Sequence, residues 1–282
     1  MKKLILSMMA LAAIATANAE ELNSTNEVNN EVAAEVATPV VTPAPEADTT
    51  EKNNWGAKLK ASPFGLGLDL QTKYMWRGME MMSEDAAPVL FPSFNYSYKG
   101  LFLYAMGGYA MNGKYAEVDL GVSYTWKGLT IGFNDYYYPT VDSNKDEYFG
   151  GGKHTGHWLE ACIRYAPEKI PVFATLSNFF YGADKYVNEN NNEEKQAYST
   201  YLELGTYYDF LKNNRITLTC GMAFNKSCYN GYEHNFSVCN VEAKYTFNVE
   251  FKNGWTLPLS AAYIYNPVYD KSYVNFTANV AF

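Results

Sequence analysis

From Phe64 to Phe282, apolar and polar residues alternate one by one through successive segments of roughly ten residues. Leu66, Leu68, Leu70, Tyr74 and Trp76 interleave with Gly65, Gly67, Asp69, Lys73 and Arg77. Val118, Leu120, Val122 and Tyr124 interleave with Glu117, Asp119, Gly121 and Ser123. A period of two is the signature of a strand with one apolar face. A length near ~10 residues fits a tilted bilayer-crossing strand better than the ~5–6 residues of a soluble one. The chain is 48% hydrophobic but has only 18% charged residues. It nevertheless lacks the run of ~20 apolar residues that a spanning helix needs, which excludes a helical membrane bundle.

Twelve segments carry the pattern: 64–77, 89–98, 101–110, 115–126, 129–138, 157–165, 171–181, 198–208, 215–225, 236–249, 255–265 and 272–282. Their connections are of two kinds. Lys99-Gly100, Lys127-Gly128, 166–170, 209–214 and 250–254 are short, whereas 139–156, 182–197 and 226–235 are longer and polar. The expected fold is therefore all-β, a transmembrane antiparallel up-and-down barrel of about twelve strands with short turns on the periplasmic rim. Aromatics support this by marking two girdles. Phe64, Tyr98, Trp126, Tyr165, Tyr208, Trp255 and Phe282 fall at the short-turn ends, and Trp76, Tyr109, Tyr137, Phe180, Phe224 and Tyr265 at the others.

Before the barrel, assigned to 56–282, the chain reads as two other units. Lys2 and Lys3, the apolar stretch Leu4 to Ala15 and Ala17-Asn18-Ala19 form a secretory signal peptide over 1–19, with cleavage after Ala19. Residues 20–55 are acidic, rich in Asn, Glu and Pro, and devoid of aromatics before Trp55. They read as a disordered periplasmic tail. The formal net charge of −8 gives no basic footprint, so nucleic acid is excluded as a partner. The expected location is the Gram-negative outer membrane. The expected partners are its lipid, the barrel-assembly machinery and small solutes. The terminal strand, alternating up to Phe282, resembles the assembly signal of bacterial outer-membrane proteins.

Tyr74-Met75-Trp76-Arg77-Gly78 and Tyr198-Ser199-Thr200-Tyr201-Leu202-Glu203-Leu204 resemble the TorF-like porin family, outer-membrane barrels of Bacteroidetes type. That resemblance would cover roughly 60–282. It implies a porin-like role through fold and brings no substrate.

Site chemistry is sparse. His154, His157 and His234 all sit in or beside loops, with no Ser at matched height to build a hydrolase. A barrel protease would have to pair Asp142 or Asp146 with His154. Asp142 to Asp146 begins like a calcium loop, but Glu147 and Lys153 occupy the positions where Gly and Glu are required. No catalytic, cofactor-binding or metal residue is assigned, and the chain reads as a non-enzyme. Cys220 and Cys239 would face each other across a hairpin, Cys162 faces the lumen and Cys228 lies at a loop tip. Small apolar filling explains all four as readily as a bridge does.

The inward face carries the functional expectation. It presents Asp69, Lys73, Arg77, Glu117, Asp119, Glu160, Arg164, Glu203, Glu242 and Lys244, with Tyr136, Tyr138, Phe173, Phe179, Tyr181, Tyr201 and Tyr273 narrowing the bore. Such a lumen suits a weakly cation-selective passive channel for small solutes. A closed barrel that displays its outer loops is the alternative, and a barrel hydrolase the third. Two outcomes test the terminal assignments. N-terminal sequencing of the membrane-embedded protein should begin at Glu20, and deleting Phe282 should sharply reduce folded yield.

Overall fold

The computed structural model describes residues 62–82, 86–139, 148–150, 155–188, 193–252 and 254–281. The signal peptide, the acidic tail, Asp142 to Asp146, His154 and Phe282 lie outside the described residues. The first strands are β1 (Phe64–Gln71), β2 (Met75–Trp76), β3 (Met79–Glu80), β4 (Val89–Tyr98), β5 (Leu101–Ala110) and β6 (Ala116–Trp126). Next come β7 (Leu129–Tyr137), β8 (His157–Tyr165), β9 (Val172–Gly182), β10 (Lys185–Asn188) and β11 (Glu193–Gln196). The last are β12 (Thr200–Phe210), β13 (Asn214–Ala223), β14 (Ser237–Glu250), β15 (Thr256–Asn266) and β16 (Lys271–Ala281).

Twelve of these form one closed antiparallel barrel in the order β1, β16, β15, β14, β13, β12, β9, β8, β7, β6, β5, β4. The first and last strands complete it, with Leu68 opposite Val280 and Leu70 opposite Ala278. β2–β3 and β10–β11 are separate two-stranded hairpins. Short turns join the wall at one end. At Lys99-Gly100 and Lys127-Gly128 both residues have positive φ, as the tightest hairpin turns require. A Cβ on Gly100 would meet the Thr125 carbonyl oxygen at 2.4 Å, so close packing also favours glycine there.

The distribution of polarity is the inverse of a soluble protein's. Leu66, Leu120, Ile131, Phe133, Val274 and Phe276 stand on the outer surface, with Leu120 41% and Phe276 55% exposed. Glu117, Asp119, Glu160 and Asn275 are buried inside, at 4% exposure or less. Exposed apolar surface of this extent wrapped around a polar interior is what a lipid-facing barrel presents.

Several expectations need correction. The segment 64–77 is not one strand: β1 ends at Gln71, and Trp76 is buried inside the barrel rather than on a girdle. Tyr137 is also buried, against Tyr148 and His157. Tyr181 faces outward, 48% exposed, because the β8–β9 ladder passes from Leu159 opposite Tyr181 to Glu160 opposite Phe179. The extra residue, Phe180, resets the alternation. A second irregularity separates the cysteines, since Gly221 pairs with Asn240 and Met222 with Val238, leaving Cys239 over. Cys220 therefore opposes Val241, and all four cysteines are free. Cys228 is buried rather than at an open loop tip.

This register makes a direct prediction for denaturant unfolding of the barrel in lipid. Leu120→Arg, on the outer face, should cost ~2–4 kcal/mol at mid-depth, whereas Ser123→Arg, inside, should be tolerated. Equal losses would mean that the inner and outer faces are misassigned.

Candidate functional site

At Gln71 the chain leaves the wall. Thr72 N still donates to the Phe276 carbonyl at 2.9 Å. The Asn275 side chain then takes over as acceptor, from Thr72 Oγ1 and Lys73 N, both at 3.0 Å. Beyond this point the backbone enters the lumen as the β2–β3 hairpin. The driving force is apolar: Tyr74, Trp76, Met79 and Met82 are all buried within the cluster that fills the bore at the long-loop end. Phe91, Tyr136, Trp158, Phe179, Tyr201 and Tyr229 are among its other members.

The hairpin turns at Arg77 and Gly78, with φ of 45° and 85°. A Cβ at Gly78 would lie 2.1 Å from the Cys239 carbonyl oxygen, so only glycine lets the tip seat against β14. Asn266 Nδ2 donates to the Gly78 carbonyl at 3.0 Å. Arg77 then spans the bore. Its Nη1 donates to Glu160 Oε1 at 2.6 Å and to the Tyr229 hydroxyl, and its Nη2 to Ser177 Oγ at 3.0 Å. The guanidinium lies 4.5 Å from the Trp76 ring and 4.7 Å from the Tyr201 ring. Glu160 Oε2 accepts from Tyr136 at 3.2 Å and Asn134 at 3.3 Å. The guanidinium's planar fork and permanent charge suit such a site.

Tyr229 reaches this latch from a short turn, Cys228–Asn230, that folds in from the β13–β14 loop. Its anchor is shared with the β10–β11 hairpin. Asp184 accepts from Ser199 N at 2.8 Å and Ser199 Oγ at 2.6 Å, and Cys228 N donates to the same Oγ at 3.0 Å. Burial pushes the Asp184 carboxyl above its ordinary range, and the Ser199 hydrogen bonds oppose that rise.

The other charged candidates sort by partner. Lys73 pairs with Glu80, a residue absent from the sequence expectation, and Lys244 with Glu242 at 3.2 Å. Arg164 donates to Thr175 at 2.9 Å and stacks 4.2 Å from the Phe173 ring. Glu203 accepts from Tyr201 at 3.3 Å, and Asp69 from Asn279. Glu117 accepts from Tyr74 at 2.9 Å and Tyr115 at 2.7 Å, lying across Gly108, where a Cβ would sit 2.6 Å from its Cγ. Both Asp119 carboxylate oxygens are buried without a hydrogen-bond partner. All ten charged candidates thus lie on the inner side, but Lys73 and Arg77 belong to the inserted segment rather than to the wall.

Toward the short turns the inner wall is lined by small and polar residues, including Gly67, Ser93, Gly121, Ser123 and Thr246, and keeps partial solvent access. Aromatic rings are laid flat against it. Cβ atoms on Gly121 and Gly205 would each come within 2.0 Å of Tyr104 and Phe173 respectively. The inner side thus passes from small and polar residues near the short turns to the Arg77 cluster near the long loops.

His157 has a partner that sequence reasoning missed. Its Nδ1 lies 2.8 Å from Asp135 Oδ1, on the outer rim, and its Nε2 faces the Tyr148 carbonyl rather than a serine. No group of three or more His, Cys, Asp or Glu side chains arranged to hold a metal occurs among the described residues.

No protein-family model matches the chain, and no curated protein matches it in sequence. Among solved structures, it is similar to the NanC porin at 11% identity, with 77% of this chain and 98% of that one covered and a TM-score of 0.48. The KdgM porin follows at 8% identity, 77% and 98% coverage and a TM-score of 0.43. A mutant porin of Rh. blastica is at 9%, 69% and 55%, with 0.36. Identities this low transfer no residue roles.

The latch predicts an asymmetric stability effect. Arg77→Ala should cost ~3–5 kcal/mol by stranding Glu160 in the interior, and pairing Arg77→Met with Glu160→Gln should recover much of it. Denaturant midpoints of the refolded variants measure both.

Proposed function

We propose that the protein is an outer-membrane, porin-like channel for small solutes, closed at rest by the β2–β3 hairpin. The observation that supports this most is the inserted segment: the packing near the long loops is made of the β2–β3 hairpin rather than of wall. That segment is held by discrete polar contacts around Arg77, so its release would open the interior toward the outer face. The long loops then lie outside the cell and the short turns in the periplasm, after export and signal cleavage near Ala19. The TorF-like resemblance is retained within this reading, with its Tyr74–Gly78 motif serving as the stopper.

Weak cation selectivity belongs to the same proposal. Each interior base has an acidic or hydroxyl partner, whereas Asp69, Glu117 and Asp119 have no base bonded to them. Excess carboxylate in a narrow bore favours cations. The reading is non-enzymatic: the imidazole of the Asp135–His157 pair is turned to a backbone carbonyl and faces no nucleophile among the described residues.

The fully packed cluster also favours a second reading, a permanently closed barrel that displays its loops. Planar-bilayer recording separates the two. The wild type should show rare ohmic openings, and Arg77→Ala should raise open probability at least about tenfold, the effect of a ~1.4 kcal/mol shift in the closed–open balance. The open state's reversal potential in a salt gradient should be cation-directed, and Glu117→Gln with Asp119→Asn should reduce it. Silence from both folded proteins would favour the display barrel.

A further inference from the structure

Glu117 and Asp119 are successive inward residues of β6, both almost completely buried. Glu117 is held by two tyrosines: the Tyr74 hydroxyl lies 2.9 and 3.0 Å from its two oxygens, and the Tyr115 hydroxyl 2.7 Å from the second. Both oxygens therefore act as acceptors. Asp119 is 0% exposed and has no donor or acceptor on either oxygen. Ionised and alone beside Glu117, it would carry a heavy desolvation and repulsion cost. Protonated, it would still bury an unmade donor and acceptor. Arg77 does not relieve it, being bonded to Glu160, Tyr229 and Ser177. Lys73 is bonded to Glu80.

A cation resolves both problems at once. Glu117 and Asp119 share one face of β6, and together with the Tyr74 and Tyr115 hydroxyls bonded to Glu117 they are all oxygen donors. Asp135 adds negative potential from the outer face of β7. Two carboxylates with neutral oxygens select a hard ion, and two adjacent negative charges select a divalent one. We infer that Asp119 and Glu117 bind a hard divalent cation of the Ca²⁺ or Mg²⁺ class, which ties the β6 wall to the inserted hairpin through Tyr74. The site does not depend on whether the bore conducts.

The test uses the full mature chain refolded in a non-ionic detergent and stripped with a chelator. Adding CaCl₂ or MgCl₂ to the wild type should raise the midpoint of thermal unfolding by about 4 °C or more. Asp119→Asn should abolish that shift and, in chelator alone, unfold at a higher midpoint than the wild type, because it removes an uncompensated charge. Equilibrium dialysis with radioactive calcium gives a second readout on the wild type. One high-affinity ion per chain is expected, competed by MgCl₂. No cation-dependent shift, with stability instead rising as pH falls, would assign the site to a proton and overturn the inference. A shift that persists in Asp119→Asn would place the ion elsewhere, in the acidic outer loop for example, and overturn it equally.

Discussion

Closure of the wall between its first and last strands is the constraint on which the rest of this structure depends. Backbone amides and carbonyls cannot be left unpaired in hydrocarbon, so a sheet that crosses lipid must have no edge. The ladder from β1 to β16 removes the last one, with Gly67–Gln71 opposite Thr277–Ala281. Only after closure does alternation acquire two meanings, with one face for lipid and the other for an enclosed interior. That enclosure makes it possible to bury Glu117, Asp119, Glu160 and Arg77 together, and it makes any charge left unpaired among them costly.

The interior is organised by how far each side chain reaches from the wall. Near the short turns, glycines opposite Tyr104 and Phe173 let the rings lie flat, so bulky residues occupy wall area rather than bore. Near the loops the arrangement reverses. β2–β3 and the Cys228–Asn230 turn bring Trp76, Arg77 and Tyr229 into the centre, and the bore is filled. The plug is therefore separate in the chain from the wall that surrounds it, joined by an ion pair, hydrogen bonds and stacked rings. Such contacts are strong while complete and costly when one partner is lost, which is the character expected of a latch.

Much of the wall was legible in the sequence, because a period of two sustained over ten residues is hard to mistake. Val89–Tyr98, Leu101–Ala110 and His157–Tyr165 coincide with their expected segments. What escaped notice has specific causes. Tyr74 and Trp76 continue the parity of Leu66, Leu68 and Leu70, so the departure at Gln71 leaves no break in alternation. The event that ends β1 is a contact with Asn275, some two hundred residues away. A signal did exist in Met79, Met81 and Met82, an apolar group with no purpose in a solvated outer loop. The two ladder irregularities each rest on one inserted residue, Phe180 or Cys239, which composition and pattern do not mark. Parity picks out the ten charged candidates but not the partners Glu80, Ser177 and Tyr229, two of which lie outside the barrel strands.

Whether 72–82 fills the barrel or stands outside it decides if the bore is closed. Replacing the four cysteines by serine and Met79 by cysteine gives a single reporter at the centre of the plug. A membrane-impermeant maleimide applied to intact cells should label it slowly, at no more than a few per cent of the rate for a cysteine at Phe149, which is almost fully exposed on a loop. Labelling at a rate comparable to the Phe149 site, in protein that is folded in the membrane, would show that the segment is an outer loop and would contradict the closed bore.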